Sequence, residues 1–252
     1  MAQDTYIILG ATSGVAIATA RRLANAGARL ALVGRNKSKL VDLADDLKVR
    51  GASEIEVIAT DLVNGDAPSK VYEHVNSTLA PVSGILLFYG LLGDQAKAID
   101  DASHALDIID VNFRSAATWV IEGAKMLEQS PADKRVLIGI SSVAADRGRR
   151  SNYVYGAAKS GLNVLLQGLA HQWAGQNAQP RAISFKLGFV DTPMTDGFDK
   201  SGPLWAKPDA IASRIERAIQ RGGPIVYAPW FWRWIMLAIR FTPNFIFKRV
   251  NL

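Results

Sequence analysis

An alternation of strand-like and helix-like stretches constrains this chain more than any other feature. Apolar runs rich in β-branched residues recur at 6–9, 30–33, 55–59, 85–88, 136–140, 182–185 and 225–227, separated by helix-like stretches. Parallel strands need crossovers of that kind, whereas hairpins do not. Near-continuous hydrophobic runs are what a strand needs when helices cover both faces of its sheet. The expectation is an α/β fold: one doubly wound domain built on a seven-stranded parallel sheet with helices on both faces. It would occupy 1–228, with 229–252 as a hydrophobic, basic extension and not a second domain. With 252 residues, 49% hydrophobic and 21% charged, and with no linker-like segment, the chain has ample material for one large core.

The chain contains no cysteine, which excludes disulfides, thiolate nucleophiles and cysteine-ligated metals. The first apolar run follows Met1 within a few residues, with no basic region or cleavage site of a signal peptide before it. An intracellular, cytoplasmic protein is expected. His74, His104 and His171 are scattered without ligand spacing, so no metal site is expected.

Directly after the first run comes Gly10-Ala11-Thr12-Ser13-Gly14-Val15-Ala16, opening a helix. Glycines there let the backbone turn tightly and approach a pyrophosphate, whose charge then lies at the helix N-terminus. Glycine turns join strands to helices in many proteins, but the placement between first strand and first helix favours a Rossmann-type dinucleotide site, with Gly10, Thr12, Ser13, Gly14 and Ala16 as candidate contacts. The second run ends in Gly34-Arg35-Asn36. An acidic residue at that place hydrogen-bonds the ribose 2′-hydroxyl of NAD, whereas an arginine accommodates the 2′-phosphate of NADP. Arg35 and Asn36 therefore favour NADPH over NADH, the alternative for Arg35 being a solvated surface arginine.

Further on the chain reads Ile140-Ser141-Ser142 and then Tyr155-Gly156-Ala157-Ala158-Lys159. Tyrosine and lysine four residues apart share one helical face, so the ammonium can stabilise a phenolate and lower a hydroxyl pKa that starts near 10. A tyrosine so tuned can donate or accept a proton near neutrality.

Glycine turn, Ser142, Tyr155 and Lys159 together resemble the short-chain dehydrogenase/reductase family over residues 5–230. Further matches are Asp61-Leu62 after the third run, Asn112 within Val111-Asn112-Phe113, and Leu187-Gly188-Phe189-Val190-Asp191-Thr192 after the sixth. The resemblance implies Tyr155 as general acid/base, Ser142 polarising a carbonyl, Lys159 holding the nicotinamide ribose and tuning Tyr155, and Asn112 supporting a proton-relay water. It also implies cofactor contacts at Asp61, Leu62, Val190 and Thr192, and a homo-oligomer, dimer or tetramer. Three departures stand out: Ala16 at the usual third glycine, Leu87-Phe88-Tyr89-Gly90 in place of Asn-Asn-Ala-Gly, and Leu187 in place of proline. The second removes side chains that brace the central strands, so packing there must differ.

The runs 141–152 and 90–94 are similar to a branch of the family that reduces a 2-keto pentose carried on decaprenyl phosphate. Arg147, Arg149 and Arg150, three arginines in four positions, lie between Ser142 and Tyr155 and either meet a phosphodiester or make surface ion pairs. Residues 191–207, rich in Gly, Pro and Asp, read as a lid over the site or as a plain loop.

The formal charge of +6 is carried by the C-terminal end: residues 201–252 hold eight Lys/Arg against two Asp/Glu. From Trp230 onward lie three of the six tryptophans, with Arg233 and Arg240 on one stripe at about 100° per residue and apolar residues around most of the helix. The segment is too short and too charged to span a bilayer, which needs about 20 apolar residues. It suits either an interfacial helix on anionic lipid, from Trp230 to Leu252 at the inner face of the plasma membrane, or a subunit interface. No recognition motif or stacking platform accompanies the basic tail, which argues against nucleic acid. The readings carried forward are an NADPH-dependent ketoreductase of a lipid-linked keto sugar, a reductase of another lipophilic ketone such as a 3-oxoacyl or steroid-like compound, and an inactive NADPH-binding membrane subunit.

Overall fold

A computed structural model describes residues 3–175 and 180–249. All seven anticipated runs are strands: β1 (Thr5–Leu9), β2 (Arg29–Gly34), β3 (Glu54–Ala59), β4 (Gly84–Leu87), β5 (Val136–Ser142), β6 (Arg181–Leu187) and, after two short strands introduced below, β9 (Ile225–Ala228). They form one parallel sheet in the order β3-β2-β1-β4-β5-β6-β9. Between them run α1 (Gly14–Asn25), α2 (Lys37–Val49), α3 (Ala67–Leu79), α4 (Gln95–Asp100), α5 (Ala102–Ile109), α6 (Ser115–Gln129), α7 (Tyr153–Trp173) and α8 (Pro208–Arg221), with α9 (Trp232–Phe241) and α10 (Asn244–Phe247) closing the chain.

Alternate residues of each strand enter two separate cores, as the period of two requires. Tyr6, Ile8, Leu30, Leu32, Ile138 and Phe185 pack with α1, α2 and α8 on one face. Ile7, Leu9, Val33, Ile85, Leu137 and Ala182 pack with α3, α6 and α7 on the other. Burial on both faces explains why the strands read as continuous apolar runs. Strand order reverses between β1 and β4, and the crevice outside their carboxyl ends is where such sheets take ligands.

The departure at Tyr89 is compensated by a different brace. Tyr89 Oη lies 2.9 Å from Ser115 Oγ, which donates to the Leu62 carbonyl at 2.6 Å, and Trp119 Nε1 donates to the same carbonyl at 2.8 Å. The loop after β4 is thus tied to α6 and to the end of β3 by a hydroxyl chain.

Residues 191–207 are structured. The strands β7 (Phe189–Val190) and β8 (Trp205–Ala206) pair in parallel, Thr192 and Thr195 cap a 3₁₀ turn, and Lys200 bridges Asp191 and Asp196. This folded flap lies over the crevice.

Candidate active site

The glycine turn is fixed to the neighbouring strand by Gly10 and Ala11 N–H groups donating to the Val33 carbonyl at 2.9 and 3.1 Å. Gly10 has φ +78°, and a Cβ there would lie 2.8 Å from Tyr89 Cβ, so only glycine fits. Ser13 caps α1 by accepting from Ala16 N, and the first turn of α1 carries no carboxylate. Ala16 is buried, which its small side chain permits. This positive helix end, reached through a glycine cradle, fits an anionic pyrophosphate.

Arg35 is exposed beyond β2. The Asn36 side chain accepts from Lys39 N at 3.0 Å and so serves as the N-cap of α2. Asp61 is exposed and accepts from Val63 N at 3.1 Å, and Leu62 is buried in the core.

A cavity of about 360 Å³ joins this turn to the reactive groups, and Thr12, Ser13, Gly14, Ser142, Tyr155, Lys159, Val190 and Thr192 all line it. Gly156 brings α7 against the turn after β5, since a Cβ there would lie 2.8 Å from the Ala144 carbonyl. That approach presents Tyr155 to Ser142, the last residue of β5. Burial pushes the Tyr155 hydroxyl up to about 12, with a hydrogen bond to Ser142 pulling it the other way. Lys159, one turn on, is buried, and its Nζ donates to the Ile140 carbonyl at 3.1 Å. Desolvation of the ammonium lowers its pKa from 10.5 to about 8.

Asn112 lies within a π-helical turn, Asp110–Arg114, of the kind found where a helix is distorted at functional sites. Its side chain is fully engaged: Nδ2 donates to the carbonyls of Leu91 at 2.6 Å and Ile108 at 2.8 Å, and Oδ1 accepts from Leu91 N at 3.1 Å. Gly90 lets the loop after β4 pass between the two, since a Cβ there would lie 2.8 Å from Asn112 Oδ1 and 3.2 Å from Lys159 Nζ. The structure thus gathers Ser142, Tyr155 and Lys159 at one end of the cavity, with Asn112 buried behind Gly90 and not part of the cavity lining.

The three arginines are separated. Arg149 lines the cavity, and its Nε is buried without a hydrogen-bond partner among the described residues. Arg147 points away: Nη1 donates to the Ile239 carbonyl and, at 2.6 Å, to that of Thr242, Nη2 donates to Asn244 Oδ1 at 2.8 Å, and its guanidinium lies 3.7 Å from the Phe247 ring centre. With its donors so committed, Arg147 fastens the C-terminal helices and is not part of the anion contact expected of it. Arg150 is exposed on the same turn.

Sequence reasoning missed Asn152, whose buried Oδ1 has no hydrogen-bond partner among the described residues at the cavity wall, and the aromatic flap of Phe198 and Trp205. It also missed the back wall. A Cβ on Gly188 would lie 1.9 Å from Trp232 Nε1, so α9 packs directly behind the cavity, with Phe189 edge-on to Trp232 and stacked on Trp205. A lone glycine after a strand gives no sign of a tryptophan 44 residues onward.

Residues 4–201 match the family described as short chain dehydrogenase. The chain belongs to that family. An uncharacterized oxidoreductase of Mycobacterium tuberculosis is 34% identical over 244 residues, 97% of this chain and 96% of the relative. One from Streptomyces coelicolor is 32% identical over 251 residues, 98% and 95% of the two chains. Among solved structures, a short-chain dehydrogenase from Sphingobium yanoikuyae in complex with NADPH superposes with a TM-score of 0.80 at 20% identity, covering 98% of this chain and 96% of that one. An actinorhodin polyketide ketoreductase variant with NADPH gives 0.79 at 20% identity, covering 91% and 97%. At that identity the likeness is one of fold. Among the described residues no helix is long and apolar enough to cross a membrane.

Proposed function

We propose that this short chain dehydrogenase is an NADPH-dependent ketoreductase. The observation that carries the reading is the convergence of the Tyr155 and Ser142 hydroxyls with the buried Lys159 ammonium on the cavity that opens to the glycine turn. The cradle of Gly10, Thr12, Ser13 and Gly14 would hold the pyrophosphate, Arg35 the 2′-phosphate, and Lys159, Val190 and Thr192 the nicotinamide end. When bound, the reduced dinucleotide supplies a hydride to the ketone carbon. Tyr155 gives its proton to the ketone oxygen, and the Ser142 hydroxyl donates a hydrogen bond to the same oxygen. Lys159, held against the Ile140 carbonyl, places positive charge beside the phenolate that Tyr155 becomes. Asn112 fixes the loop after β4 against α5, which holds Gly90 close beside the Lys159 ammonium.

The substrate proposed is a 2-keto pentose carried on a polyprenyl phosphate. Its support is the chemistry of the outer cavity: apolar walls at Leu92, Met194, Phe198 and Trp205, with the Arg149 guanidinium, whose Nε has no hydrogen-bond partner among the described residues, at the wall to meet a phosphodiester. The same reading takes the protein as a homo-oligomer, dimer or tetramer, in peripheral contact with anionic lipid at the cytoplasmic face of the membrane. That contact would use the segment from Trp230, of which 250–252 lie outside the described residues.

The test is consumption of NADPH with a polyprenyl-phosphoryl 2-keto pentose, a water-soluble ketone and a 3-oxoacyl thioester offered side by side. Turnover of the lipid-linked sugar is expected, with Tyr155→Phe losing turnover while still binding NADPH. Wild-type turnover by Tyr155→Phe would overturn the chemistry, and turnover confined to the thioester would overturn the substrate.

A further inference from the structure

α9 is apolar on two opposite faces. Trp232 and Met236 are buried against Val143 and the wall of the cavity. At about 100° per residue, Trp234, Leu237 and Phe241 cluster on the far side, and they are 59%, 43% and 79% exposed. Trp230 before the helix and Phe245 after it are exposed as well.

Beside that stripe lies a groove of about 770 Å³ between α7, β9 and α9, separate from the substrate cavity. Arg214, Arg233 and Arg240 line it, with Trp230, Trp234 and Leu237 at its α9 side. Its single carboxylate, Asp146, is already matched by the buried Lys186 ammonium and by Tyr227 Oη at 2.7 Å. None of the three arginines forms an ion pair among the described residues, and Arg214 Nε is buried without a hydrogen-bond partner. Beyond Glu216 the chain carries no acidic residue at all, while Lys248 and Arg249 add cations near the exposed aromatics.

We propose that this groove is a binding site for the phosphate headgroup of an anionic phospholipid, with the Trp234-Leu237-Phe241 stripe entering the acyl boundary beside it. The proposal deepens the peripheral membrane contact stated above and rests on it. Arginine forks match phosphate oxygens, and tryptophan and phenylalanine favour the boundary between headgroups and chains. A helix of 10 residues is about 15 Å long, so it lies along the surface and does not cross it. A second copy of the chain is the poorer occupant, because a two-fold pairing of this face would bring Arg214, Arg233 and Arg240 against their own copies. Since the buried side of α9 backs the substrate cavity, such docking sets the active site at the bilayer surface.

The experiment is co-sedimentation of the full chain with vesicles of phosphatidylglycerol and phosphatidylcholine mixed, against phosphatidylcholine alone, read without any turnover. Binding to the mixed vesicles alone is expected, undiminished by millimolar inorganic phosphate. Arg214→Gln, Arg233→Gln and Arg240→Gln should each weaken it about fivefold, and about a hundredfold together. The exposed pair Arg233→Gln/Arg240→Gln serves if the triple variant fails to fold, with NADPH binding as the check. Trp234→Ser/Phe241→Ser should abolish sedimentation. If the wild type pellets with neither vesicle, both this proposal and the membrane contact fall. If the arginine variants bind like wild type, the groove assignment alone falls. If the wild type pellets with neither and Trp234→Ser/Phe241→Ser converts a dimer to a monomer in size-exclusion chromatography, the face belongs to a second copy. Loss of ketone turnover touches none of these outcomes, so failure of the ketoreductase reading is separately visible.

Discussion

Lys159→Met tests whether the site stores instability in the service of chemistry. Burial moves the Lys159 ammonium from an ordinary 10.5 to about 8. At 1.36 kcal/mol for each pKa unit, a fall of about 2.5 means that holding the charge costs the folded protein about 3 kcal/mol at pH 7. Methionine fills similar volume without charge and loses one hydrogen bond, to the Ile140 carbonyl, worth about 1 kcal/mol. The net expectation is stabilisation by about 2 kcal/mol, or roughly 4–8 °C in melting temperature for a chain of this size. The sign with pH is fixed. Below about 8 both folded and unfolded lysine are protonated and the full cost is present; it fades between 8 and 10.5, as only the unfolded lysine keeps its proton, and is gone above. Calorimetry of both proteins without cofactor at pH 7 and at pH 10.5 reads this directly, and the advantage of Lys159→Met should shrink at the higher pH while ketone reduction is lost. A variant that melts at or below the wild type at pH 7 would refute the argument that desolvation governs this lysine.

Gly188→Ala forces a Cβ to within 1.9 Å of Trp232 Nε1, so overpacking of about 1–3 kcal/mol and a raised KM are expected; an unchanged melting curve would contradict the placement of α9. Asp146→Ala strands the buried Lys186 ammonium, which should cost about 3–5 kcal/mol in denaturant unfolding, and a loss below about 1 kcal/mol would show that the ion pair is dispensable. Arg35→Ala should weaken NADPH binding at least tenfold, as loss of a charged hydrogen bond of about 1.5–3 kcal/mol implies, with NADH unchanged by calorimetric titration. Equal weakening of both would remove Arg35 from the 2′-phosphate.

The fold was legible because its strands are buried on both faces. Ile7 and Ile8 point into different cores, yet both must be apolar, so β1 announces itself as a continuous run. The glycine turn and the Tyr155–Lys159 spacing are local as well, and the structure brings them to one cavity. Other parts of the site were not legible, because their partners are far apart in sequence. Nothing near Arg147 indicates that carbonyls at Ile239 and Thr242 will take its guanidinium, while Arg149, two positions on, lines the cavity. The brace from Tyr89 through Ser115 to Leu62 joins three elements that the loss of an asparagine only hinted at.

What this sequence determined by itself is therefore what periodicity and backbone sterics control: strands, helices, the turn at Gly10 and which side chains share a helical face. The tertiary structure decided proton affinity and address. Lys159 is an ordinary lysine until Ile140, Gly90 and Asn112 close around it, because desolvation depends on neighbours that only folding supplies. In the same way a helix read as apolar around most of its circumference became two-faced, with Trp232 against Gly188 and Val143 and Trp234 left to solvent, once the turns after β5 and β6 supplied a surface for one side of α9 to cover.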